Sequence, residues 1–218
     1  MSRLRLVVFD LDGTLVDSLR DLADSANALL TESGCLALPE PSIARMVGDG
    51  AAALIARAFE AAGAPQPADA LARFLAIYDT RLLEFTRPYP GTDEALDELG
   101  KRATLSVLTN KPIGATRRIL AGLGLARHFA PERVMGGDGP FPRKPDPAGL
   151  RHLAAIENVT MGETLLVGDS AIDCRTARAA GAWLCVARYG FGFGGLPRAE
   201  LAPEDRIIDR PLELLSLL

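Results

Sequence analysis

The stretch LVVFDLDGT, residues 6–14, joins a short apolar run to two acidic residues. An apolar run that stops this abruptly is typical of a strand covered on both faces of a sheet. Similar runs follow along the chain, at residues 104–108, 133–135, 164–167, 183–187 and 206–208. Residues 6–9 therefore predict the first strand of a buried parallel sheet.

Helical patterns separate most of these apolar runs. They lie at about residues 92–101, 112–124, 146–158 and 171–180, and the last is followed by Gly181, a common helix stop. Strands that alternate with helices are typical of a parallel sheet with helices on both faces. We therefore expect an α/β fold built on a doubly wound parallel sheet.

One interval breaks this alternation, because about 94 residues separate the first strand from the second. A plain crossover connection needs far fewer residues. Residues 18–86 are alanine-rich, follow a helical pattern and are interrupted by glycine and proline. We expect them to form an all-helical cap domain inserted into an α/β core domain of residues 1–17 and 87–218.

The composition argues against two classes of partner and indicates a cellular compartment. The 218 residues carry 24 Lys and Arg against 28 Asp and Glu, a net charge of −4 without a basic run, which argues against a nucleic-acid partner. No apolar run approaches the ~20 residues of a membrane helix, which argues against a membrane partner. Three scattered cysteines and the lack of a signal-peptide pattern predict a cytoplasmic protein. The sequence leaves its oligomeric state open between a monomer and a homodimer.

Polar residues stand where the apolar runs end. Ligands bind beyond the carboxyl ends of the strands in an open parallel sheet, so these residues are expected to converge on one crevice. They are Asp10, Asp12, Thr109, Asn110 and Asp169, together with Asp173 and with Lys144 ahead of a helix. Carboxylates, a hydroxyl, an amide and a fixed cation are the groups that phosphoryl chemistry uses.

The paired acids predict a metal. Asp10 and Asp12 are two residues apart, and side chains at that spacing point to the same side of an extended backbone. With Asp169 in the same crevice, three carboxylates would repel one another unless a cation were present. Mg²⁺ prefers carboxylate and water ligands and often shares its shell with a substrate phosphate. The cluster therefore predicts a magnesium site and an anionic small-molecule substrate.

Each of these segments has a plainer interpretation when it is taken alone. Asp10 and Asp12 can belong to a solvated turn, residues 109–112 can cap the following helix, and Ser170 and Asp173 have the spacing of a capping box. The order of all the segments on successive strand ends favours the interpretation as a site.

Four segments in this order resemble the motifs of the haloacid dehalogenase superfamily: residues 8–18, 108–111, 144–147 and 167–173. Residues 47–50, 87–91 and 189–192 further resemble segments of the phosphoglycolate phosphatases within that superfamily. The resemblance covers nearly the whole chain. It implies a Rossmann-like core with an inserted helical cap and a phosphatase activity.

The resemblance implies catalytic roles for Asp10, Asp12, Lys144 and Asp173. Asp10 would attack phosphorus and form an aspartyl-phosphate. Asp12 would protonate the leaving oxygen and then activate the hydrolytic water. Mg²⁺ would be held by Asp10, by the backbone carbonyl of Asp12 and by Asp169. Asp173 would orient metal-bound water or Lys144.

Substrate contacts are expected from both parts of the chain. Thr109, Asn110 and Lys144 are the candidates that bind the phosphoryl group. In the helical segment, Gly48, Asp49 and Gly50 precede a helical run, so their backbone amides could meet an anion, although a simple helix-start turn fits as well.

Two arginines of the helical segment, Arg45 and Arg57, are candidate partners for a substrate carboxylate, unless they are merely solvated. Residues 190–195 match the pattern G-x-G-x-x-G. They follow the fifth strand, however, so a flexible loop at the rim of the site is expected rather than a nucleotide-binding turn.

The same residues separate the candidate functions. A dehalogenase needs no acid at the position of Asp12, and the lysine or histidine that phosphonate-cleaving and mutase relatives use is missing from residues 18–86. We therefore expect a magnesium-dependent phosphatase of a small phosphomonoester, with 2-phosphoglycolate as the best candidate. The alternatives are another small ester such as a sugar phosphate, or a non-catalytic magnesium- and phosphate-binding module phosphorylated at Asp10.

Overall fold

The apolar runs form strands in the computed structural model of the protein, which describes residues 4–217. The strands are β1 (Leu6–Phe9), β2 (Val16–Asp17), β3 (Arg87–Pro88), β4 (Thr104–Leu108), β5 (Val134–Met135), β6 (Thr164–Gly168), β7 (Trp183–Ala187) and β8 (Arg206–Ile208). Six of them build one sheet in the order β5-β4-β1-β6-β7-β8, and all their pairings are parallel. The predicted α/β fold with a doubly wound parallel sheet is confirmed.

The strand order creates the crevice that the sequence predicts. The chain runs from β1 outward to β5 and then returns to the other side of β1 to form β6, β7 and β8. Phe9, the last residue of β1, lies in register with Val107 of β4 and Val167 of β6. Residues that follow these three strands therefore meet at one edge of the sheet, where the strand order reverses.

Helices occupy the predicted intervals. They are α1 (Leu19–Glu32), α2 (Glu40–Ala44), α3 (Ala51–Ala61), α4 (Ala70–Arg81), α5 (Thr92–Leu99), α6 (Ile113–Gly122), α7 (Ala148–Ile156) and α8 (Ala171–Ala180). The first four all fall within residues 18–86, hereafter the helical segment. None of the helices in the described range 4–217 is long and apolar enough to cross a membrane. The ends of the proposed core domain, residues 1–3 and 218, lie outside the described residues.

Apolar side chains cover both faces of the sheet. Leu6 and Val8 of β1 belong to one buried cluster, and Val7 and Phe9 belong to another, as the alternation along a strand requires. The second cluster continues into the helical segment through α1, α3 and α4, where Phe74 is one of its fully buried members. The helical segment thus packs on the same side of the sheet as Phe9.

A two-stranded antiparallel ribbon of β2 and β3 marks where the chain leaves for the helical segment and where it returns. Beside it, the buried carboxylate of Asp21 accepts hydrogen bonds from the backbone N–H groups of Phe85 and Thr86 and from the Thr86 hydroxyl. The ribbon was not expected from the sequence, because two residues are too few to show a periodic pattern. It lies next to the proposed domain boundaries.

Candidate active site

Three carboxylates meet at the edge of the sheet. Asp10 directly follows β1, Asp169 directly follows β6, and Asp173 lies in the first turn of α8. Each is buried, and one oxygen of each lies within 4.8 Å of the others. We call these three residues the carboxylate cluster. It brings together two of the predicted metal ligands and the residue expected to act behind them.

Lys144 binds two members of the carboxylate cluster. Its Nζ lies 2.9 Å from Asp10 Oδ1 and 2.6 Å from Asp173 Oδ1, and its side chain is only 2% exposed. Burial by itself would lower the pKa of Lys144, but the charges of Asp10 and Asp173 outweigh it and raise the pKa above its ordinary value. Lys144 is therefore a fixed cation inside the site.

Asp173 performs two tasks with its two oxygens. Oδ1 accepts the hydrogen bond from Lys144, while Oδ2 accepts hydrogen bonds from the Ser170 backbone N–H at 3.1 Å and from Ser170 Oγ at 2.7 Å. The capping box and the contact with Lys144 are therefore both present. By capping α8, Ser170 holds the carboxylate that orients Lys144.

The carboxylate cluster has the electrostatics of a cation site. Burial is the largest cause that raises the pKa of Asp10 to about 6, with Lys144 opposing and Asp173 adding to the rise. Burial, then the charges of Asp173 and Asp10, raise the pKa of Asp169 well above its usual range. Three carboxylates share one ammonium here, so a divalent cation would relieve their repulsion. An all-oxygen donor set fits Mg²⁺.

Asp12 faces the same cavity as Asp10, but its carboxylate has different partners. Oδ1 accepts a hydrogen bond from Ser18 Oγ at 2.5 Å, and Oδ2 lies 2.9 Å from Lys111 Nζ. Both side chains face one cavity, as the spacing predicts, but the chain turns at residues 11–15, with Leu15 N–H bonded to the Leu11 carbonyl. The carboxylate of Asp12 is therefore not part of the carboxylate cluster, and a role for its backbone carbonyl remains a prediction.

Lys111 and Tyr78 are residues of the site that sequence reasoning missed. Lys111 Nζ donates to Tyr78 Oη at 2.9 Å and lies 4.6 Å from the centre of the tyrosine ring. Burial would lower the pKa of Lys111, but Asp12 and Tyr78 raise it above its usual value. The position of Lys111, directly after Asn110, was a usable signal. Nothing in the pattern of α4 singles out Tyr78.

Thr109 and Asn110 follow β4, and both are buried in the wall of the cavity. Asn110 Nδ2 donates to the Gly48 carbonyl and to the Lys144 carbonyl, at 2.9 Å in each case. Asn110 Oδ1 is buried without a hydrogen-bond partner among residues 4–217. The amide thus joins the helical segment to the loop that carries Lys144, and only its oxygen is left for a ligand.

The loop before α3 borders the cavity through Gly48 and Gly50. A Cβ on Gly50 would lie 3.3 Å from the Asn110 carbonyl oxygen, so this loop approaches the core closely. Gly50 has a positive φ of 91°, a conformation that side chains other than glycine rarely adopt. Asp49 does not line the cavity, since its carboxylate is paired with Arg57.

The two arginines proposed for a substrate carboxylate lie elsewhere. Arg57 is held by Asp49 and donates to the Met46 carbonyl at 3.0 Å. Arg45 is exposed, and its Nη2 lies 3.3 Å from Ser42 Oγ. Neither lines the cavity, because their guanidinium groups are directed to partners within the helical segment. The arrangement does not support a substrate contact for Arg57, and that for Arg45 remains only a prediction.

A cavity of about 390 Å³ lies between these groups. Asp10, Asp12, Thr109 and Asp169 line its polar side. Its opposite wall is mostly apolar and comes from α1, α3 and α4 of the helical segment, with Leu22, Leu54 and Phe74 among its members. Tyr78 and Asp79 of α4 are polar members of this wall. The site therefore combines charged groups at the strand ends with a water-excluding apolar cover.

The glycine-rich stretch 190–195 packs directly on the carboxylate cluster. The Gly192 backbone N–H donates to Asp169 Oδ2 at 2.8 Å. A Cβ on Gly190 would lie 2.1 Å from the Gly13 carbonyl oxygen and 2.4 Å from Asp169 Cβ. Phe191 and Gly192 line the cavity. The prediction of a flexible loop at the rim of the site is therefore incomplete, because this stretch also positions Asp169.

Replacing Gly190 with alanine is expected to lower the free energy of unfolding by about 1–3 kcal/mol and to reduce activity, because its Cβ must displace backbone or Asp169. Thermal unfolding and phosphate-release assays measure both effects. Gly194→Ala is the matched control in the same stretch, since its Cβ would meet nothing within 4 Å. Equal behaviour of the two variants would contradict the role given to Gly190.

The sequence of this chain is similar to those of known hydrolases. The family model of haloacid dehalogenase-like hydrolases matches residues 7–187. A phosphoglycolate phosphatase of Rhodospirillum rubrum is 45% identical over 196 residues, which cover 86% of this chain and 80% of that protein. A protein of Cupriavidus necator named "Phosphoglycolate phosphatase, plasmid" is 37% identical, with 97% and 92% covered.

A solved structure agrees over the whole length. The crystal structure of a predicted phosphoglycolate phosphatase from Haemophilus somnus 129pt matches with a TM-score of 0.89 and 30% identity, covering 100% of this chain and 99% of that one. The family match and the relatives agree with the four motif segments at residues 8–18, 108–111, 144–147 and 167–173. This chain belongs to the haloacid dehalogenase-like hydrolases and is a phosphoric monoester hydrolase similar to phosphoglycolate phosphatases.

Proposed function

We propose that this protein is a magnesium-dependent phosphatase that hydrolyses 2-phosphoglycolate through an aspartyl-phosphate on Asp10. The observation that carries the proposal is the position of Asp10, which lies on the cavity with its carboxylate bound to Lys144 and within 4.8 Å of Asp169 and Asp173. The relatives named phosphoglycolate phosphatase support the choice of substrate.

The contacts of Asp10 suit a nucleophile. Its Oδ1 accepts hydrogen bonds from the Leu11 backbone N–H at 2.7 Å and from Lys144 Nζ at 2.9 Å. Because both donors use Oδ1, the other oxygen is left to attack phosphorus. Lys144 would also neutralise charge on the phosphoryl oxygens, and Thr109 would offer them its hydroxyl.

Asp12 would act as the general acid and then as the general base. It would donate a proton to the leaving oxygen in the first step and accept one from the hydrolytic water in the second, so its proton is returned. Ser18 and Lys111 hold its two oxygens and thereby fix the direction of the carboxyl group.

Asp10 and Asp169 would hold Mg²⁺, with the backbone carbonyl of Asp12 as a further ligand and Asp173 beside them. When bound, Mg²⁺ supplies a positive charge that offsets the carboxylates and the phosphoryl group. The buried all-oxygen cluster and its raised pKa values support this assignment.

Magnesium is expected to stabilise the fold in a pH-dependent manner. Asp10 has a raised pKa of about 6 in the metal-free folded protein, so that state loses stability as the pH rises from about 4 to 6. Mg²⁺ should therefore raise the melting temperature near pH 7.5 and have little effect near pH 4.5, where Asp10 is protonated. Thermal unfolding with and without Mg²⁺ tests this. A pH-independent shift would contradict the assigned site.

Residues 18–86 would act as a cap domain that excludes bulk water during the reaction. The wall that it contributes to the cavity is mostly apolar, with Tyr78 and Asp79 as its hydrogen-bonding side chains, which favours a small acid over a polyhydroxylated sugar phosphate. We further propose that the protein works in the cytoplasm as a monomer or a homodimer, on a small phosphate ester and without a nucleic-acid or membrane partner.

The direct test of the proposed function is phosphate release from p-nitrophenyl phosphate and from 2-phosphoglycolate, with Mg²⁺ or with a chelator. A phosphatase releases phosphate only when Mg²⁺ is present, and 2-phosphoglycolate should give the higher kcat/KM. A non-catalytic module would release no phosphate from either compound. A higher kcat/KM for a sugar phosphate than for 2-phosphoglycolate would overturn the choice of substrate.

A further inference from the structure

The cavity has one cationic side chain in its wall among residues 4–217, and this is Lys111. Lys144 is not among the lining residues; it is paired with Asp10 and Asp173, and its charge is assigned to the phosphoryl group. None of the five arginines of the helical segment lines the cavity. A second anionic group on a substrate, besides its phosphoryl group, would therefore have Lys111 as its cationic partner.

The distance from Asp12 to Lys111 matches a particular class of ester. The leaving oxygen must reach Asp12, which would supply its proton. In an ester with a carboxylate on the carbon next to that oxygen, a carboxylate oxygen lies on the order of 3 Å from the leaving oxygen, given ordinary bond lengths. Lys111 Nζ lies 2.9 Å from Asp12 Oδ2. A substrate carboxylate next to the ester oxygen would thus come within reach of Lys111.

Within residues 4–217, Lys111 and Tyr78 each keep one hydrogen-bond donor that is available to a ligand. The ammonium of Lys111 carries three N–H groups, and within residues 4–217 it meets two acceptors, Asp12 Oδ2 and Tyr78 Oη. Tyr78 accepts that hydrogen bond, so its own O–H remains to donate. Burial raises the pKa of Tyr78 to about 12, and the hydroxyl therefore keeps its proton at neutral pH.

We propose that Lys111 of the core and Tyr78 of the helical segment bind the carboxylate of the substrate and so select phosphate esters of 2-hydroxy acids. This inference rests on the proposed phosphatase function and names the groups that would set its specificity. It assigns the carboxylate contact to a residue that follows β4 and to one in α4, instead of to Arg45 or Arg57.

The competing account is that Lys111 only positions Asp12. Both accounts predict lower activity when Lys111 is lost, so the test compares two alcohol esters of equal length. 2-Phosphoglycolate carries the carboxylate, and 2-hydroxyethyl phosphate replaces it with a neutral hydroxymethyl group. A residue that only orients Asp12 would affect both esters equally, because both need the same proton.

Lys111→Met is expected to lower kcat/KM for 2-phosphoglycolate about 100-fold more than for 2-hydroxyethyl phosphate, since a hydrogen-bonded charge pair is lost. Tyr78→Phe keeps the ring and its stacking on Phe74, and should give a selective loss of about 10-fold. Lys101→Met replaces an exposed lysine and should behave like the wild type. An equal loss on both esters, or no loss, would overturn the proposal.

A binding measurement separates this inference from the proposed function. Titration calorimetry with 2-phosphoglycolate and Mg²⁺ on Asp10→Asn, with and without Lys111→Met, reports carboxylate binding without turnover. Lys111→Met should weaken binding about 100-fold, whereas unchanged affinity would overturn the carboxylate site. Wild-type protein that binds 2-phosphoglycolate but hydrolyses neither ester would contradict the proposed function and would leave the proposed carboxylate site standing.

Discussion

Asp10→Asn is expected to lower kcat for 2-phosphoglycolate by about 10⁴-fold or more while leaving the fold intact. An amide nitrogen or oxygen cannot replace the carboxylate as the nucleophile, so the variant cannot form the aspartyl-phosphate. The substitution keeps the size of a side chain that is almost fully buried and accepts hydrogen bonds from Leu11 and Lys144. Single-turnover phosphate release at saturating substrate measures the loss.

Folding provides the control for this variant. Asparagine removes a negative charge from a cluster in which burial already raises the pKa of Asp10 to about 6, so the metal-free variant should unfold at or above the wild-type temperature. A variant that is folded and inactive supports Asp10 as the nucleophile. Residual turnover within about tenfold of the wild type would contradict it.

Lys144→Met is expected to lower kcat/KM by about 10³-fold and the free energy of unfolding by about 3–5 kcal/mol, because it leaves buried carboxylates uncompensated. Lys144 is the ammonium that joins Asp10 to Asp173, and all three side chains are at least nine-tenths buried. Methionine preserves most of the side-chain volume, so the change reports on charge rather than on packing.

Denaturant unfolding in the absence of metal and steady-state kinetics with Mg²⁺ measure the two effects of Lys144→Met. Lys101→Met is the matched control, because Lys101 is exposed and its side chain is paired with the nearby Glu98. A loss of activity without any loss of stability would mean that the carboxylates do not depend on Lys144 in the folded protein. That result would contradict the description of Lys144 as their fixed cation.

Much of the fold could be predicted from the sequence because it depends on local patterns. The buried run at residues 6–9 and its counterparts at 104–108 and 164–167 became three adjacent strands of the sheet, since a strand covered on both faces needs a mostly apolar sequence. The convergence of Asp10 and Asp169 followed from the topology, because parallel strands end at the same edge. These predictions needed no knowledge of side-chain contacts.

Contacts between distant elements could not be predicted. Lys111 meets Tyr78 across 33 positions of sequence, and that contact depends on how α4 packs over the sheet. Arg57 looked available for a ligand, but Asp49, which is eight positions away, binds its guanidinium group. The direction of the Asp12 carboxylate depended on a turn whose hydrogen bonds have no periodic signature. Contacts that depend on long-range packing or on turn geometry therefore could not be predicted from the sequence.

The central claim is that the phosphoryl group passes through Asp10. Asp12→Asn should still be phosphorylated by p-nitrophenyl phosphate, whose leaving group departs without a proton, and should hydrolyse the phospho-enzyme slowly, since Asp12 would activate the hydrolytic water. Peptide mapping by mass spectrometry after an acid quench of this variant with p-nitrophenyl phosphate is the most direct measurement. The account predicts a phosphoryl group on Asp10. A phosphoryl group on another residue, or phosphate release without any labelled peptide, would contradict it.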